Sequence, residues 1–233
     1  MAKRVFITGA SKGIGRALAQ EFAQPGTHLF LTARSQELLE TLAQDLSQRA
    51  SRVYWWAGDL RDPAFVEALA HRVLDTLGPP EAVLLNAGIA RIGPLATQSL
   101  QDFDDLVAVN LRAPFLLTRI LLPHLKPGST LVYIGSIASK QAFSGWSLYC
   151  ATKFGLRGMV TALREEVRAQ GLRVVLVNPG PVATPLWQTI GSKPDPHRML
   201  APEDVARVVR KVLEEPATVS VDEVDLLPQR GLL

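Results

Sequence analysis

The sequence predicts a single α/β domain on a doubly wound parallel sheet with helices on both faces. Three observations carry this. Short apolar runs alternate with longer stretches of helical periodicity along nearly the whole chain. The runs VFI, AVLLN and RVVLVN are almost uninterrupted, as suits strands buried on both faces. The first run ends in a glycine-rich turn that opens directly into a helical pattern. With 233 residues, 47% of them hydrophobic, the chain can build one core of the larger kind, and no linker divides it.

The elements follow in order. RVFITGA is a β-branched strand ending in glycine, and GRALAQEFAQ after it has helical spacing. THLFLTAR is the second strand; SQELLETLAQDLSQRA is a charged amphipathic helix with Ser35 as its N-cap. RVYWWAGDL is the third strand, and DPAFVEALAHRVLDTLG the third helix, with Asp62 as cap and Pro63 as first residue. EAVLLNAG is the fourth strand. A long helical region runs from about Ser99 to Leu125 and stops before Lys126-Pro127-Gly128. STLVYIGS is the fifth strand, a helix spans roughly Trp146 to Gln170, and LRVVLVNPG is the sixth strand. Pro185 to Pro202 breaks all periodicity and reads as a mobile excursion, with residues 185–201 as a lid over a substrate. PEDVARVVRKVLEE resumes helix, and TVSVDEVDLLP adds a last strand.

Composition excludes several classes of function. The net charge is +3, but 25 basic residues are interleaved with 22 acidic ones and form no run. A nucleic-acid footprint needs clustering, so none is expected. One cysteine, Cys150, rules out an intramolecular disulfide framework and fits a reducing, cytoplasmic setting. The start MAKRVFITGASKG meets glycine too soon for a signal peptide, and no stretch is expected to cross a membrane. His28, His71, His124 and His197 have no metal-ligand spacing, so no metal is expected.

Thr8 to Gly15 places glycines as GxxxGxG between strand and helix. Glycine permits a tight turn and close backbone approach, and the helix start offers unpaired N–H groups to a phosphate. The competing reading is a purely structural turn. Dinucleotide sites that take NAD place an acid about 20 residues past the turn, to accept from the ribose 2′-OH. Here Ala33 and Arg34 stand at the end of the second strand. A guanidinium suits a 2′-phosphate, and Lys12 adds a second positive charge, so NADP(H) is favoured over NAD(H). The alternative makes Arg34 a solvated residue at a helix start.

TGASKGIG, Asp59 in GDL, NAG at 86–88, Asn110, Ser136 in IGS, YCATK and NPGPVAT occur in that order. On these motifs the chain resembles the short-chain dehydrogenase/reductase family, over roughly residues 3–185 and more loosely beyond. Ser136 precedes Tyr149 by the family's spacing, and GxxxGxG is the family's own form of the turn. The resemblance implies a Rossmann-type fold and roles residue by residue. Gly9, Gly13 and Gly15 would turn over the cofactor pyrophosphate, bordered by Ser11 and Ile14. Asp59 and Leu60 would contact adenine. Asn86, Ala87 and Gly88 would support the cofactor, and Lys153 would hold the nicotinamide ribose. Pro179, Gly180, Val182 and Thr184 would lie along the nicotinamide. Asn110, Ser136, Tyr149 and Lys153 would be the catalytic tetrad.

The chemistry of YCATK has its own physical argument. Tyr149 and Lys153 stand at i and i+4 and share one helix face. A free tyrosine is a poor base at neutral pH, and a nearby ammonium lowers its pKa. In carbonyl reduction Tyr149 would protonate the oxygen while Ser136 orients it. Asn110 would hold a water that connects Lys153 to solvent. Each has a bland alternative: Asn110 satisfying buried backbone, Ser136 ending a strand, Tyr149 packing.

Ala138, Phe143, Trp146 and Trp187 are the candidate substrate wall, with Ile190 closing over it. Lys193 and Arg198 are either solvated or aimed at an acidic substrate. The ending PQRGLL lacks the glycine-rich finish of many fatty-acid-synthesis ketoreductases, and TVSVDEVDLLP is more similar to hydroxy-acid dehydrogenase relatives. Helices over 103–125 and 149–168 carry apolar residues on more than one face, so a homodimer or homotetramer is expected, as the family implies. The leading reading is an NADP(H)-dependent oxidoreductase acting on a small carbonyl or alcohol. The alternatives are a non-catalytic dinucleotide-binding sensor or scaffold, and an isomerising enzyme with a tightly held cofactor.

Overall fold

Alternate side chains of the first strand enter two different cores: Val5 and Ile7 one, Phe6 the other. That alternation is what a sheet covered on both faces requires. A computed structural model describes residues 3–191, 195–216, 218–229 and 231. The strands are β1 (Arg4–Thr8), β2 (His28–Ala33), β3 (Arg52–Ala57), β4 (Ala82–Leu85), β5 (Thr130–Ile134), β6 (Arg173–Pro179) and β7 (Glu223–Leu226). They form one sheet in the order β3-β2-β1-β4-β5-β6-β7, and every pairing is parallel. The order reverses between β1 and β4, so the crevice of a doubly wound sheet opens at their C-terminal ends.

The helices are α1 (Gly13–Phe22), α2 (Gln36–Leu46), α3 (Pro63–Leu77), α4 (Leu100–Val107), α5 (Ala113–Leu121), α6 (Ser147–Val167), α7 (Leu186–Thr189) and α8 (Pro202–Glu214). α1, α2 and α8 cover one face around Leu18, Leu39 and Val209. α3, α5 and α6 cover the other around Leu69, Leu117 and Val160. The expected caps are present. Ser35 accepts from Leu38 N at 3.4 Å, and Asp62 accepts from Ala64 N at 2.9 Å, with Pro63 at the first turn.

Two expectations need correction. The long central helix is not uniform: a π turn over Ala108–Arg112 separates α4 from α5, and a 3-10 turn follows. Together they make a helical stretch, Leu100–His124, whose mean hydropathy reaches 1.4, long and apolar enough to cross a membrane by composition. Leu106, Ala113, Leu117 and Leu121 are buried within it. Its hydrophobicity therefore serves the fold's own core. The segment after Pro185 is also less irregular than its composition suggests. It contains α7 and a 3-10 turn at Pro196–Arg198, and Val182 bridges Leu200. Lys193 lies outside the described residues. Arg198 lies within that 3-10 turn and is exposed.

Candidate active site

A cleft of about 580 Å³ lies at the crevice, within the span of about 300–1,000 Å³ usual for ligand sites. The turn from β1 into α1 borders it with Gly9, Ser11, Lys12, Gly13 and Ile14. Gly13 has φ +53°, and a Cβ there would stand 3.0 Å from Thr184 Cγ2. Gly15 serves differently. A Cβ on it would fall 2.1 Å from the Gly9 carbonyl oxygen, so its bareness lets α1 pack onto the turn and it does not border the cleft. No side chain caps α1, so its first-turn N–H groups stay free for an anion.

The far end of the cleft is cationic. Arg34 and Lys12 are both exposed, and neither side chain bonds another described residue. Asp59 and Leu60 border the same end, but the Asp59 carboxylate is already engaged. Arg61 donates from Nε and Nη2 to Asp59 Oδ2 at 2.9 and 2.7 Å, and from Nη1 to Asp105 Oδ2 at 3.0 Å. The Arg61 hydrogen bond holds the Asp59 carboxyl below its usual range. Arg61, Arg91 and Asp105 all border the cleft, and the sequence reasoning missed them. Only Arg61 had a local signal, its place directly after Asp59-Leu60.

Asn86, Ala87 and Gly88 line the middle. Thr8 Oγ1 accepts from both Asn86 N and Ala87 N at 3.0 Å, and Asn86 Nδ2 returns a bond to the Thr8 carbonyl at 3.0 Å. This exchange locks the ends of β1 and β4 together. A Cβ on Gly88 would sit 3.5 Å from Asn110 Oδ1 and 3.7 Å from Lys153 Nζ, so Gly88 lies beside both groups, of which Lys153 borders the cleft and Asn110 does not.

Tyr149 and Lys153 both border the cleft from α6. Lys153 Nζ stands 5.7 Å from the Tyr149 ring centre and donates to the Ile134 carbonyl at 3.0 Å. Ser136 Oγ lies close enough to the Tyr149 phenol to act on its acidity, and it accepts from Ala138 N at 3.1 Å. Burial sets both acidities. It pushes the Tyr149 phenol up to about 12, against a smaller lowering by the nearby Ser136 hydroxyl, and pulls Lys153 down to about 8. The expectation of a depressed tyrosine pKa is therefore not met here, because desolvation dominates the shift. Asn110 is already engaged. Its Oδ1 accepts from Ile89 N at 2.9 Å, and its Nδ2 donates to the Ile89 carbonyl at 2.9 Å and to Thr152 Oγ1 at 3.1 Å. Both amide hydrogens are engaged, so the side chain braces the β4–α4 loop. Oδ1 retains one acceptor site, and Asn110 does not border the cleft.

Thr184 lines the cleft beside Pro185, Leu186 and Thr189, which puts α7 over it. Pro179, Gly180 and Val182 do not reach it. Gly180 N bonds the Leu226 carbonyl at 2.7 Å, and the Val182 carbonyl accepts Trp187 Nε1 at 2.8 Å. Ala138 is fully buried in a small apolar cluster with Tyr149 and Cys150, so it walls nothing. Phe143, Trp146 and Ile190 pack on that cluster. Trp146 meets the Tyr149 ring edge-on at 5.5 Å and Trp187 at 6.1 Å. Among the described residues no group of acids, cysteines or histidines could hold a metal ion.

Comparisons with known proteins agree with this geometry. A sepiapterin reductase of Chlorobaculum tepidum is 33% identical over 236 residues, covering 97% of this chain and 96% of that protein. An NADPH-dependent pterin aldehyde reductase of Arabidopsis thaliana is 34% identical over 189 residues, covering 79% and 77%. An alcohol dehydrogenase from Thermococcus sibiricus, solved with 5-hydroxy-NADP, superposes with a TM-score of 0.89 at 29% identity, covering 97% and 96%. The profile described as short chain dehydrogenase matches residues 3–195. Fold, motif order and relatives converge, and the chain belongs to the short-chain dehydrogenase family.

Proposed function

We propose that the chain is an NADP(H)-dependent oxidoreductase of small carbonyls and alcohols, with Tyr149 as general acid and base. One observation carries the reading: Tyr149 and Lys153 border the same cleft as the glycine turn and Arg34. The residues fit the cofactor. Free N–H groups at α1 suit a pyrophosphate, and the unengaged Arg34 guanidinium suits a 2′-phosphate. NADPH bound there supplies the hydride that reaches the carbonyl carbon.

The chain supplies the proton. With its phenol at about 12, Tyr149 is protonated at neutral pH and donates to the carbonyl oxygen as charge develops there. Ser136 bonds the same oxygen and holds it in line. Lys153, at about 8, is mostly cationic near neutrality and favours the phenolate left behind. In alcohol oxidation the same groups work in reverse. α7 would form part of the lid expected over 185–201, of which 192–194 lie outside the described residues. Phe115 and Phe154 are 45% and 44% exposed on α5 and α6, which supports pairing of those helices with a second copy.

The names of two relatives favour a pterin carbonyl as substrate, and the Trp146–Trp187 pair beside Tyr149 is the nearest aromatic surface, though neither ring borders the cleft. The test is an assay of sepiapterin, para-nitrobenzaldehyde and aliphatic aldehydes with NADPH and with NADH. Consumption of NADPH with any of them supports the oxidoreductase reading, and preference for sepiapterin supports the pterin class. Tight NADPH binding without turnover of any substrate would replace this reading with a dinucleotide sensor.

A further inference from the structure

The C-terminal strand holds an acidic hub behind the catalytic groups. Glu223 Oε1 accepts from Asn178 Nδ2 at 2.7 Å, Lys140 Nζ at 3.0 Å and Arg157 Nε at 3.1 Å. Asp225 reinforces it, accepting from Lys140 Nζ at 2.7 Å and Asn178 Nδ2 at 3.1 Å.

Each donor belongs to a segment that carries part of the site. Lys140 ends the 3-10 turn over Ile137–Ser139, whose N-cap is Ser136. Arg157 lies on α6, one turn beyond Lys153 and two beyond Tyr149. Asn178 is fully buried on β6, immediately before Pro179. Its Oδ1 accepts from Ser139 Oγ at 2.9 Å, which ties the serine turn to the strand a second time. Gly135 fits against the same amide: a Cβ there would fall 2.4 Å from Asn178 Oδ1. The serine turn, the tyrosine helix and the end of β6 thus meet at one carboxylate.

We propose that Glu223 is a positioning residue that sets the placement of Ser136 relative to Tyr149 and Lys153. The proposal rests on the oxidoreductase reading of the site. Glu223 lies beyond the family match, which stops at residue 195. Its carboxyl is held below the usual range: burial raises it, but bonds from Arg157, Lys140 and Asn178 together outweigh that, so it stays ionised at neutral pH. The side chains of Glu223, Lys140 and Arg157 are 24%, 28% and 40% exposed. Ion pairs that wet contribute little to stability one by one. What they fix is geometry, and a displacement too small to unfold a chain still costs rate.

Glu223→Gln keeps the shape and removes the charge. Three measurements decide: kcat with para-nitrobenzaldehyde, NADPH affinity by fluorescence titration, and thermal unfolding. The expected result is a fall in kcat of about tenfold or more, with NADPH affinity within about twofold and a melting temperature within a few degrees. Arg157→Met should lower kcat in the same way. The double variant should fall by less than the product of the two single effects, since both break one contact. Wild-type kcat in Glu223→Gln overturns the proposal. So does a parallel loss of kcat, affinity and melting temperature, which marks a purely structural residue. If the wild-type protein reduces no aldehyde, the oxidoreductase reading fails separately. Hydrogen exchange of residues 136–141 then decides, and unchanged protection in Glu223→Gln overturns the positioning role.

Discussion

Replacing Lys153 by methionine should make the cofactor-free protein more stable and less active. Lys153 is 4% exposed, its one hydrogen bond goes to the Ile134 carbonyl, and burial lowers its pKa from 10.5 to about 8. That displacement corresponds to about 3 kcal/mol of unfavourable energy in the charged native state. Methionine fills a similar volume without a charge. It leaves the Ile134 carbonyl without its partner, which costs about 1 kcal/mol. The net gain is about 2 kcal/mol near pH 7, or roughly 4–8 °C in melting temperature for a chain of this size. The pH dependence follows from which state binds the proton. Below about 8 both states are charged and the wild type carries the whole penalty. Between about 8 and 10.5 the native lysine is neutral while the unfolded one still holds its proton, so wild-type stability rises with pH through that window. Thermal unfolding of both proteins, without cofactor, at about pH 7 and about pH 10 measures this. The advantage of Lys153→Met should be clear at the lower pH and mostly gone at the higher. A variant less stable than wild type at both values would refute the claim that this lysine is held at a cost.

Two further substitutions test the chemistry. Tyr149→Phe keeps the ring that packs on Trp146 and removes the hydroxyl, so kcat should fall by about a hundredfold or more while NADPH affinity stays within about threefold. Full retention of turnover would reduce Tyr149 to a packed aromatic. Arg34→Ala should weaken NADPH binding by about tenfold or more, because a charge-assisted hydrogen bond contributes about 1.5–3 kcal/mol, and should leave NADH binding nearly unchanged. The loss should shrink at high salt, since Arg34 is exposed and its field is screened. Equal weakening of both cofactors would refute the 2′-phosphate assignment.

Strand order along the chain, the caps at Ser35 and Asp62 and the glycine turn were legible in the sequence because each depends on neighbours a few residues away. The pairing of Tyr149 with Lys153 was legible for the same reason: helix spacing puts them on one face. What escaped depends on contacts between distant segments. Nothing local shows that Asn110 will give both its amide hydrogens to Ile89 and Thr152, from chain positions far from its own. Arg61 reaches Asp59 nearby, but its bond to Asp105 exists only once the fold brings α4 to the loop that follows β3. Glu223 is further removed, since its three donors come from a turn, a helix and a strand that only the sheet order brings together.

The tyrosine pKa shows the same limit in energetic form. Helix geometry gives the distance between a phenol and an ammonium, but the sign of the net shift depends on how much water the fold removes from both. Here Tyr149 is 7% exposed and Lys153 4%, and each is pushed toward its neutral form. The one influence in the opposite sense on the phenol comes from Ser136, and in the cofactor-free cleft it loses to desolvation. At neutral pH the resting site therefore presents a protonated phenol, ready to donate, beside a lysine that still holds most of its charge. On the mechanism proposed above, reduction uses the phenol in this form whereas oxidation needs the phenolate, so the rate of alcohol oxidation should rise with pH.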